Sequence, residues 1–125
     1  MKLVQTNSLV LAYIGDSIYE LYIREYLINK NINKVNLLQE ESKKYVSAKS
    51  QDMILKKLKE KQIFTLEEEE IIKKGRNAKS NSKPKNTSIL IYKNATSLES
   101  LFGYLYLSNQ NERIKEIMTI ILEDK

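Results

Sequence analysis

The sequence contains no cysteine and no histidine, and it has only one proline and three glycines. Without cysteine or histidine there can be no disulfide, no Cys/His zinc site, and no Ser/His/Asp or Cys/His nucleophile. Any catalysis must then use carboxylates, hydroxyls, lysines or a metal held by oxygen ligands, for which Mg²⁺ and Mn²⁺ are the suitable ions. A cysteine-free chain is also compatible with a reducing cytoplasm.

Long apolar runs are absent as well, and none approaches the roughly 20 residues that a membrane span needs. The start, MKLVQTNSLVLAYIGD, lacks a small-residue cleavage site and continues into an amphipathic pattern, so we do not interpret it as a signal peptide. With 125 residues, 42% hydrophobic and 30% charged, the chain is predicted to form one soluble cytoplasmic domain over residues 1–125.

The scarcity of glycine and proline, together with helical periodicity, predicts an all-α fold. The five main helices are predicted at Ser8 to Leu27, Val35 to Lys61 with a possible break near Ser47 to Ser50, Thr65 to Gly75, Thr87 to Leu107, and Asn111 to Glu123. Thr65 and Glu68 have capping-box spacing, and Gly75 is expected to end that helix. The segment SILIY resembles a strand in isolation, but its helical continuation favours a helix start.

Two acids interrupt apolar runs. Asp16 lies within LVLAYIGDSIYELYI and Glu99 within ATSLESLFGYLYL, each on a helix face otherwise lined by apolar or aromatic residues. A buried unpaired carboxylate costs several kcal/mol or becomes neutral, and two carboxylates repel unless a cation lies between them. A shared divalent metal is the sharpest interpretation. Ion pairs with lysines or bonds to a helix N-terminus remain open. Gly15, beside Asp16, indicates close approach of a helix or ligand.

Two other groups of residues have simpler explanations. Glu20 has Arg24 four residues later and is expected to form a surface ion pair. Glu67 to Glu70 fit a solvated first helical turn. The tyrosines of the first helix (Tyr13, Tyr19, Tyr22 and Tyr26) make it apolar nearly all round, which is typical of a helix inside a dimer.

Positive charge is concentrated in one segment. The net charge is +5, which favours an anionic partner such as nucleic acid. From Lys73 to Lys93 there are seven Lys or Arg residues and no acid, and GRNAKSNSKPKN within it is predicted to be an exposed loop. Lysines bind phosphate as point charges, whereas Arg76 can bind it with two hydrogen bonds.

The two acid-bearing segments resemble the signatures of the ribonuclease III catalytic domain. YIGDS, residues 13–17, resembles the Gly-Asp signature of that family, and ATSLESLFG, residues 95–103, resembles its later Glu-containing signature. The resemblance is closer to the Mini-ribonuclease III branch. The segments that carry it, in order and over nearly the whole chain, are LAYIGDSIYELYIREYL, KYVSAKSQ, IIKKGRNAKS, PKNT and ATSLESLFGYLYL.

This resemblance implies a helical endonuclease domain that acts as a homodimer on double-stranded RNA. It implies Mg²⁺, with Mn²⁺ as a substitute, and cleavage that leaves a 5′ phosphate and a 3′ hydroxyl. It assigns Asp16 and Glu99 as the metal-binding catalytic carboxylates. Full-length ribonuclease III has further acids where this chain has Leu9, Ala12 and Thr96. The Mini branch lacks them too, so waters and substrate phosphates would complete the metal shell.

No double-stranded-RNA-binding domain follows the last predicted helix, so RNA binding is expected from the catalytic domain itself. The residues predicted to contact RNA are Lys73, Lys74, Arg76, Asn77, Lys79, Lys83 and Lys85, with Lys44, Ser47 and Lys49 as additional candidates. Each of these three additional candidates could equally be a solvated surface lysine or serine.

The sequence therefore predicts a Mg²⁺-dependent endoribonuclease specific for double strands. The family expectation for its role is maturation of a 23S ribosomal RNA precursor. One alternative is a catalytically silent domain that binds structured RNA or ribosomal particles. Another is a helical protein-interaction domain with an incidental basic loop, which would be indifferent to RNA, whereas phosphate contacts give steep salt dependence.

Overall fold

The structure is a computed structural model that describes residues 6–78 and 88–123. Within these ranges every regular element is a helix, so the predicted all-α fold is confirmed. The helices are α1 (Ser8–Ile28), α2 (Val35–Val46), α3 (Ala48–Glu60), α4 (Leu66–Asn77), α5 (Ile89–Leu107) and α6 (Asn111–Glu123). No helix in the described ranges is long and apolar enough to cross a membrane.

The helix starts follow the capping residues in the sequence. The Asn7 side chain accepts a hydrogen bond from the Leu9 amide at 2.8 Å, which satisfies a free donor at the start of α1. Thr65 and Glu68 form the predicted capping box of α4. Ser88 accepts from the backbone N–H of Ile91 at 3.2 Å, so SILIY is a helix start, as expected.

The second predicted helix is two helices, α2 and α3, which meet at Ser47. Ser47 ends α2 and caps α3, and its extended backbone (φ −65°, ψ 153°) breaks the helix at the position where a break was predicted. The expectation that Gly75 ends α4 is wrong, because the helix continues to Asn77. Gly75 is instead a packing residue, since a Cβ there would lie 2.9 Å from the Cα of Ser97 on α5.

Helix α5 lies at the centre of the fold and packs against α1, α3, α4 and α6. Its side chains Leu98, Leu101, Phe102 and Leu105 are fully buried. The Tyr19 ring of α1 packs on Phe102 with 5.4 Å between ring centroids. Apolar burial of this kind is the main stabilising term of a small domain, and here it fixes the pair of helices that carry the two acids.

A partly buried ion pair fastens α6 to the start of α4. Arg113 donates to both carboxylate oxygens of Glu68 at 2.8 Å, and to the backbone carbonyl of Ile63 at 2.7 Å. Glu68 is the same side chain that completes the capping box. Burial raises the pKa of Glu68, but the bonds from Arg113 and Thr65 outweigh it and hold that pKa below its ordinary value.

Candidate active site

Two glycines bring the backbones of α1 and α5 into direct contact. A Cβ on Gly15 would overlap the backbone carbonyl of Glu99, and a Cβ on Gly103 would overlap the carbonyl of Leu11. The close approach that Gly15 indicated is therefore to α5. Gly103 plays the reciprocal part on the other helix, and the sequence analysis did not single it out.

This crossing places Asp16 beside Glu99, close enough for Asp16 to raise the pKa of the Glu99 carboxyl group. The expectation of an acid in the middle of a buried stripe needs correction. The buried residues of α1 are Leu11, Ala12, Gly15, Tyr19, Ile23 and Leu27. Asp16 lies next to these residues, and both acids are half-buried. They border a surface cleft that is also lined by Leu9, Val10, Ala12, Tyr13, Ile14, Ser17, Tyr92, Thr96 and Leu107.

The neighbourhood of Glu99 disfavours its charged form. Burial, and then the hydrogen bond and negative charge of Asp16, raise the pKa of Glu99 to about 8. A hydrogen bond from Gln51 acts in the opposite direction. Near neutral pH the metal-free site therefore keeps a proton on Glu99. A cation between the carboxylates would replace that proton, as a shared metal requires.

The donor atoms of this pair suit a hard cation. Carboxylate oxygens are the ligands that Mg²⁺ prefers, and Mg²⁺ retains water in the rest of its shell. No group of three or more His, Cys, Asp or Glu residues with metal-binding placement occurs in residues 6–78 and 88–123. Asp16 and Glu99 form a pair rather than such a group, and their carboxylate oxygens are suitable ligands for a hard cation that keeps most of its water.

Gln51 is a site residue that sequence reasoning missed. Its side chain is only 2% exposed, and its amide nitrogen donates to Glu99 Oε2 at 3.4 Å, at the long end of hydrogen-bond distances. The sequence signal for Gln51 is the same as for Asp16 and Glu99, namely a polar residue on an otherwise apolar helix face. Gln51 shares the buried stripe of α3 with Leu55 and Leu58, so it is a polar residue where an apolar one is expected.

The described part of the basic segment lies at the end of α4. Lys73, Lys74 and Asn77 are exposed and Arg76 is half-buried. Lys73 and Arg76 line one groove with Lys59 of α3, and Glu69 and Glu70 line it too. Burial and the charge of Arg76 lower the pKa of Lys59. The groove therefore brings three positive charges together beside two glutamates.

The other predicted RNA contacts lie elsewhere. Lys44 is paired with Glu41 at 2.9 Å in the last turn of α2. Ser47, one turn before Gln51, caps α3, and Lys49 is exposed in the first turn of that helix. Lys79, Lys83 and Lys85 lie outside the described residues. The Glu20–Arg24 pair is confirmed as a helix-surface ion pair, 3.0 Å between its charged atoms.

Comparison with known proteins places this site in a family. A sequence model of the ribonuclease III domain matches residues 9–110. The chain is 45% identical to the Mini-ribonuclease 3 of Staphylococcus aureus over 116 residues, which cover 93% of this chain and 87% of that protein. It is 49% identical to the Mini-ribonuclease 3 of Brevibacillus brevis over 115 residues, covering 90% and 83%.

A solved structure agrees with these matches. The crystal structure of a protein from Fusobacterium nucleatum superposes with a TM-score of 0.88 at 33% identity and covers 98% of this chain and 99% of that one. The family match spans both α1 and α5, and thus Asp16 and Glu99. The chain therefore belongs to the ribonuclease III family of endoribonucleases, in its Mini-ribonuclease III branch.

Proposed function

We propose that this protein is a Mg²⁺-dependent endoribonuclease that cleaves double-stranded RNA, with Asp16 and Glu99 as its catalytic carboxylates. The observation that carries the proposal is the contact between these two acids, which the glycine crossing brings together on a surface cleft. A domain that only bound RNA or protein would gain nothing from two adjacent carboxylates, one of which is held neutral.

Asp16 and Glu99 would hold the ion, with waters and RNA phosphate oxygens as the remaining ligands. When bound, such an ion polarises the phosphodiester and makes a water molecule more acidic. The protein itself contributes the positions of the two carboxylates. The backbone contact at Gly15 fixes the two acids relative to each other, and the cleft leaves them accessible to a large substrate.

RNA binding is proposed for the basic residues that flank this site. Gly75 packs on Ser97 and Ser100, so the end of α4 lies beside the stretch of α5 that bears Glu99. Lys73, Lys74, Arg76 and Asn77 are therefore proposed to contact the RNA backbone. At the start of α3, Ser47 lies one turn before Gln51 and Lys49 lies two residues before it, and both are proposed as a second contact. Lys44 is a weaker candidate because Glu41 pairs with it at 2.9 Å, and Lys74 likewise lies 3.8 Å from a carboxylate oxygen of Glu70. For Lys79, Lys83 and Lys85, RNA contact stays a prediction.

We propose that the protein acts as a homodimer through the apolar surface around the cleft. Among the residues that line the cleft, Tyr13 is 83% exposed, Val10 is 55% exposed and Leu107 of α5 is 38% exposed. Large apolar side chains grouped in this way mark an interaction surface. This supports the expectation that the first helix, apolar nearly all round, is covered by a second copy.

A ribosomal RNA precursor, with 23S as the family expectation, is the proposed substrate, and the cytoplasm the proposed location. Both rest on membership of the Mini-ribonuclease III branch. The fold and the site support cleavage of RNA but select no particular RNA.

The test is cleavage of a labelled RNA duplex by the unaltered protein, Asp16→Asn and Glu99→Gln, with Mg²⁺ or with chelator. Each substitution should slow cleavage by about 100-fold or more, the scale on which loss of one group that stabilises transition-state charge acts. Glu112→Gln on the exposed start of α6 is the matched control and should retain activity. RNA binding without cutting by the unaltered protein would contradict the proposal and favour the silent RNA-binding domain.

A further inference from the structure

Two consecutive residues of α3 reach α5 with buried polar side chains. Gln51 is 2% exposed and Asp52 is 4% exposed. The Gln51 amide nitrogen lies 3.4 Å from Glu99 Oε2, and Asp52 Oδ1 accepts a hydrogen bond from the side chain of Asn94 at 2.6 Å. Buried polar groups are costly unless they are bonded, so each contact calls for a physical explanation.

The carboxylate of Asp52 has both a hydrogen-bond donor and a positive charge as partners within the protein. It accepts from Asn94 and pairs with Lys56 at 3.2 Å, so its charge is balanced by groups outside the acid pair. Asp52 therefore fastens α3 to α5 and has no bond to either catalytic carboxylate among the described contacts. This explains Asp52 as a structural residue.

The contact of Gln51 differs because its partner is Glu99. An uncharged amide donor restrains a carboxylate without the charge that a lysine or arginine would bring. A cationic donor at this place would compete with a divalent cation for Glu99, whereas an amide would not. A glutamine at position 51 can therefore fix the orientation of the Glu99 carboxylate and still leave that carboxylate free to bind a metal.

Gln51 is itself held rigidly. Its backbone N–H donates to the carbonyl of Ser47 at 2.9 Å, which closes the first turn of α3. The Ser47 side chain caps the same turn by accepting from the Ser50 amide at 3.1 Å. Leu55 and Leu58, on the same stripe, are buried in the core. Because the helix turn that carries Gln51 is fixed in this way, the direction in which its side-chain amide donates is also fixed.

We propose that Gln51 is a positioning residue, which orients the Glu99 carboxylate for a divalent cation and touches neither RNA nor the reacting atoms. This inference rests on the proposed function, because it needs a metal at Asp16 and Glu99. Outer partners of metal ligands act by restricting ligand orientation, and their loss typically weakens metal binding by about 10- to 100-fold.

The test is calorimetric titration of Mn²⁺ into the RNA-free protein, for the unaltered chain, Gln51→Met and Asp52→Asn. Methionine keeps the length of glutamine but lacks the donor. Gln51→Met should weaken Mn²⁺ binding by about tenfold or more. Asp52→Asn is the neighbouring control. It should lower the unfolding temperature, because it weakens the contacts of Asp52 with Lys56 and Asn94. Its Mn²⁺ affinity should stay within about twofold of that of the unaltered protein, because Asp52 has no contact with the acid pair among the described contacts.

Two further measurements separate positioning from structure. Duplex RNA affinity in chelator should be the same for Gln51→Met and the unaltered protein, because Gln51 does not touch RNA. Gln51→Leu repeats the removal of the donor with a different shape, in case the methionine variant packs poorly. Loss of Mn²⁺ affinity in both variants, with folding retained in chelator, would support the assignment.

Equal Mn²⁺ affinity for the unaltered protein and either folded Gln51 variant would overturn it. So would an equal loss in Gln51→Met and Asp52→Asn, which would mean that any damage to the α3–α5 contact acts in the same way. If the unaltered protein bound no Mn²⁺ at all, the metal site of the proposed function would be wrong, and the inference would fall with it. These outcomes are distinct, because the first two require a functioning metal site.

Discussion

Gly15 of α1 lies directly against the backbone carbonyl of Glu99, so the residue before Asp16 touches the main chain of the other acid. Glycine is otherwise unfavourable inside a helix, by about 1 kcal/mol relative to alanine. Its presence here is explained by the approach of α5, which no residue with a Cβ would permit. The same relationship yields the first prediction.

Replacing Gly15 with alanine should separate α1 from α5, because its methyl group would overlap the Glu99 carbonyl. Overpacking of this kind should destabilise the protein by about 1–3 kcal/mol and reduce cleavage together with stability. The measurement is urea unfolding in chelator, followed by a cleavage assay. Ser17→Ala, at an exposed position of the same helix, should change the free energy of unfolding by less than about 0.5 kcal/mol. Equal stability of the Gly15 and Ser17 variants would contradict the prediction.

Glu99→Gln should make the metal-free protein more stable than the unaltered one, to an extent that grows with pH. The pKa of Glu99 rises from the model-compound value of 4.5 to about 8 on folding, so the folded state holds the proton more tightly. The contribution of Glu99 to the free energy of unfolding is therefore fully present below about pH 4.5, and it is lost as the pH rises towards 8.

Glutamine cannot titrate, so the variant should escape this loss. The difference in free energy of unfolding should reach about 1–3 kcal/mol above pH 8, after allowance for the half-exposed position. Denaturant melts in chelator across pH 4 to 9 would measure it, with Glu112→Gln as the pH-independent control. Saturating Mg²⁺ should narrow or reverse the difference, because it stabilises only the protein that binds it. A difference that did not vary with pH would refute the explanation.

Arg76→Glu should weaken RNA binding without unfolding the protein. Arg76 lines the groove with Lys59 and Lys73 at the end of α4, and reversing its charge would remove the proposed contact with a phosphate. Affinity should fall by about tenfold, and the slope of log affinity against log salt should decrease by about one. The measurement is duplex binding in chelator at several salt concentrations. Lys115→Glu, on the exposed face of α6, should bind like the unaltered protein. Unchanged affinity at moderate salt would remove α4 from the RNA interface.

Tyr13→Glu should convert a dimer to a monomer. The side chain is 83% exposed and lies on the apolar rim of the cleft, where a charge would be buried by a second copy. Sedimentation equilibrium would show the change. Leu66→Glu is an exposure-matched control, since Leu66 is 89% exposed but lies on α4 away from that rim. The homodimer proposal fails if the unaltered protein is a monomer or if Tyr13→Glu remains dimeric.

The helices, most of their starts and the acid pair could be predicted because each leaves a local mark. Thr65 and Glu68 form a capping box at fixed spacing, and Asp16 and Glu99 interrupt apolar runs. The role of Gly75 was mispredicted because a glycine near a helix end has the same local appearance whether it terminates the helix or admits a neighbour. Only the position of Ser97 distinguishes these cases.

Gln51 and Gly103 were missed for a related reason. Each depends on a partner far away in sequence, Glu99 in one case and Leu11 in the other. Asp16 is expected in the middle of a buried helix face, but it lies at the edge of that face and is half-buried. The apolar pattern of a helix spans about 100° or more, and the pattern alone does not show which part of that span faces the core. Tertiary contacts decide such questions, and a single sequence does not record them.

The crossing of α1 and α5 has a further consequence for how this protein can change over time. The spacing of the carboxylates is set by main-chain atoms in contact at two residues without side chains. Most core side chains then have only to fill space, and they can be exchanged for others of similar volume while the acids stay in place. A protein that is only 33% identical keeps the same fold with a TM-score of 0.88, so most side chains of this fold can indeed be exchanged.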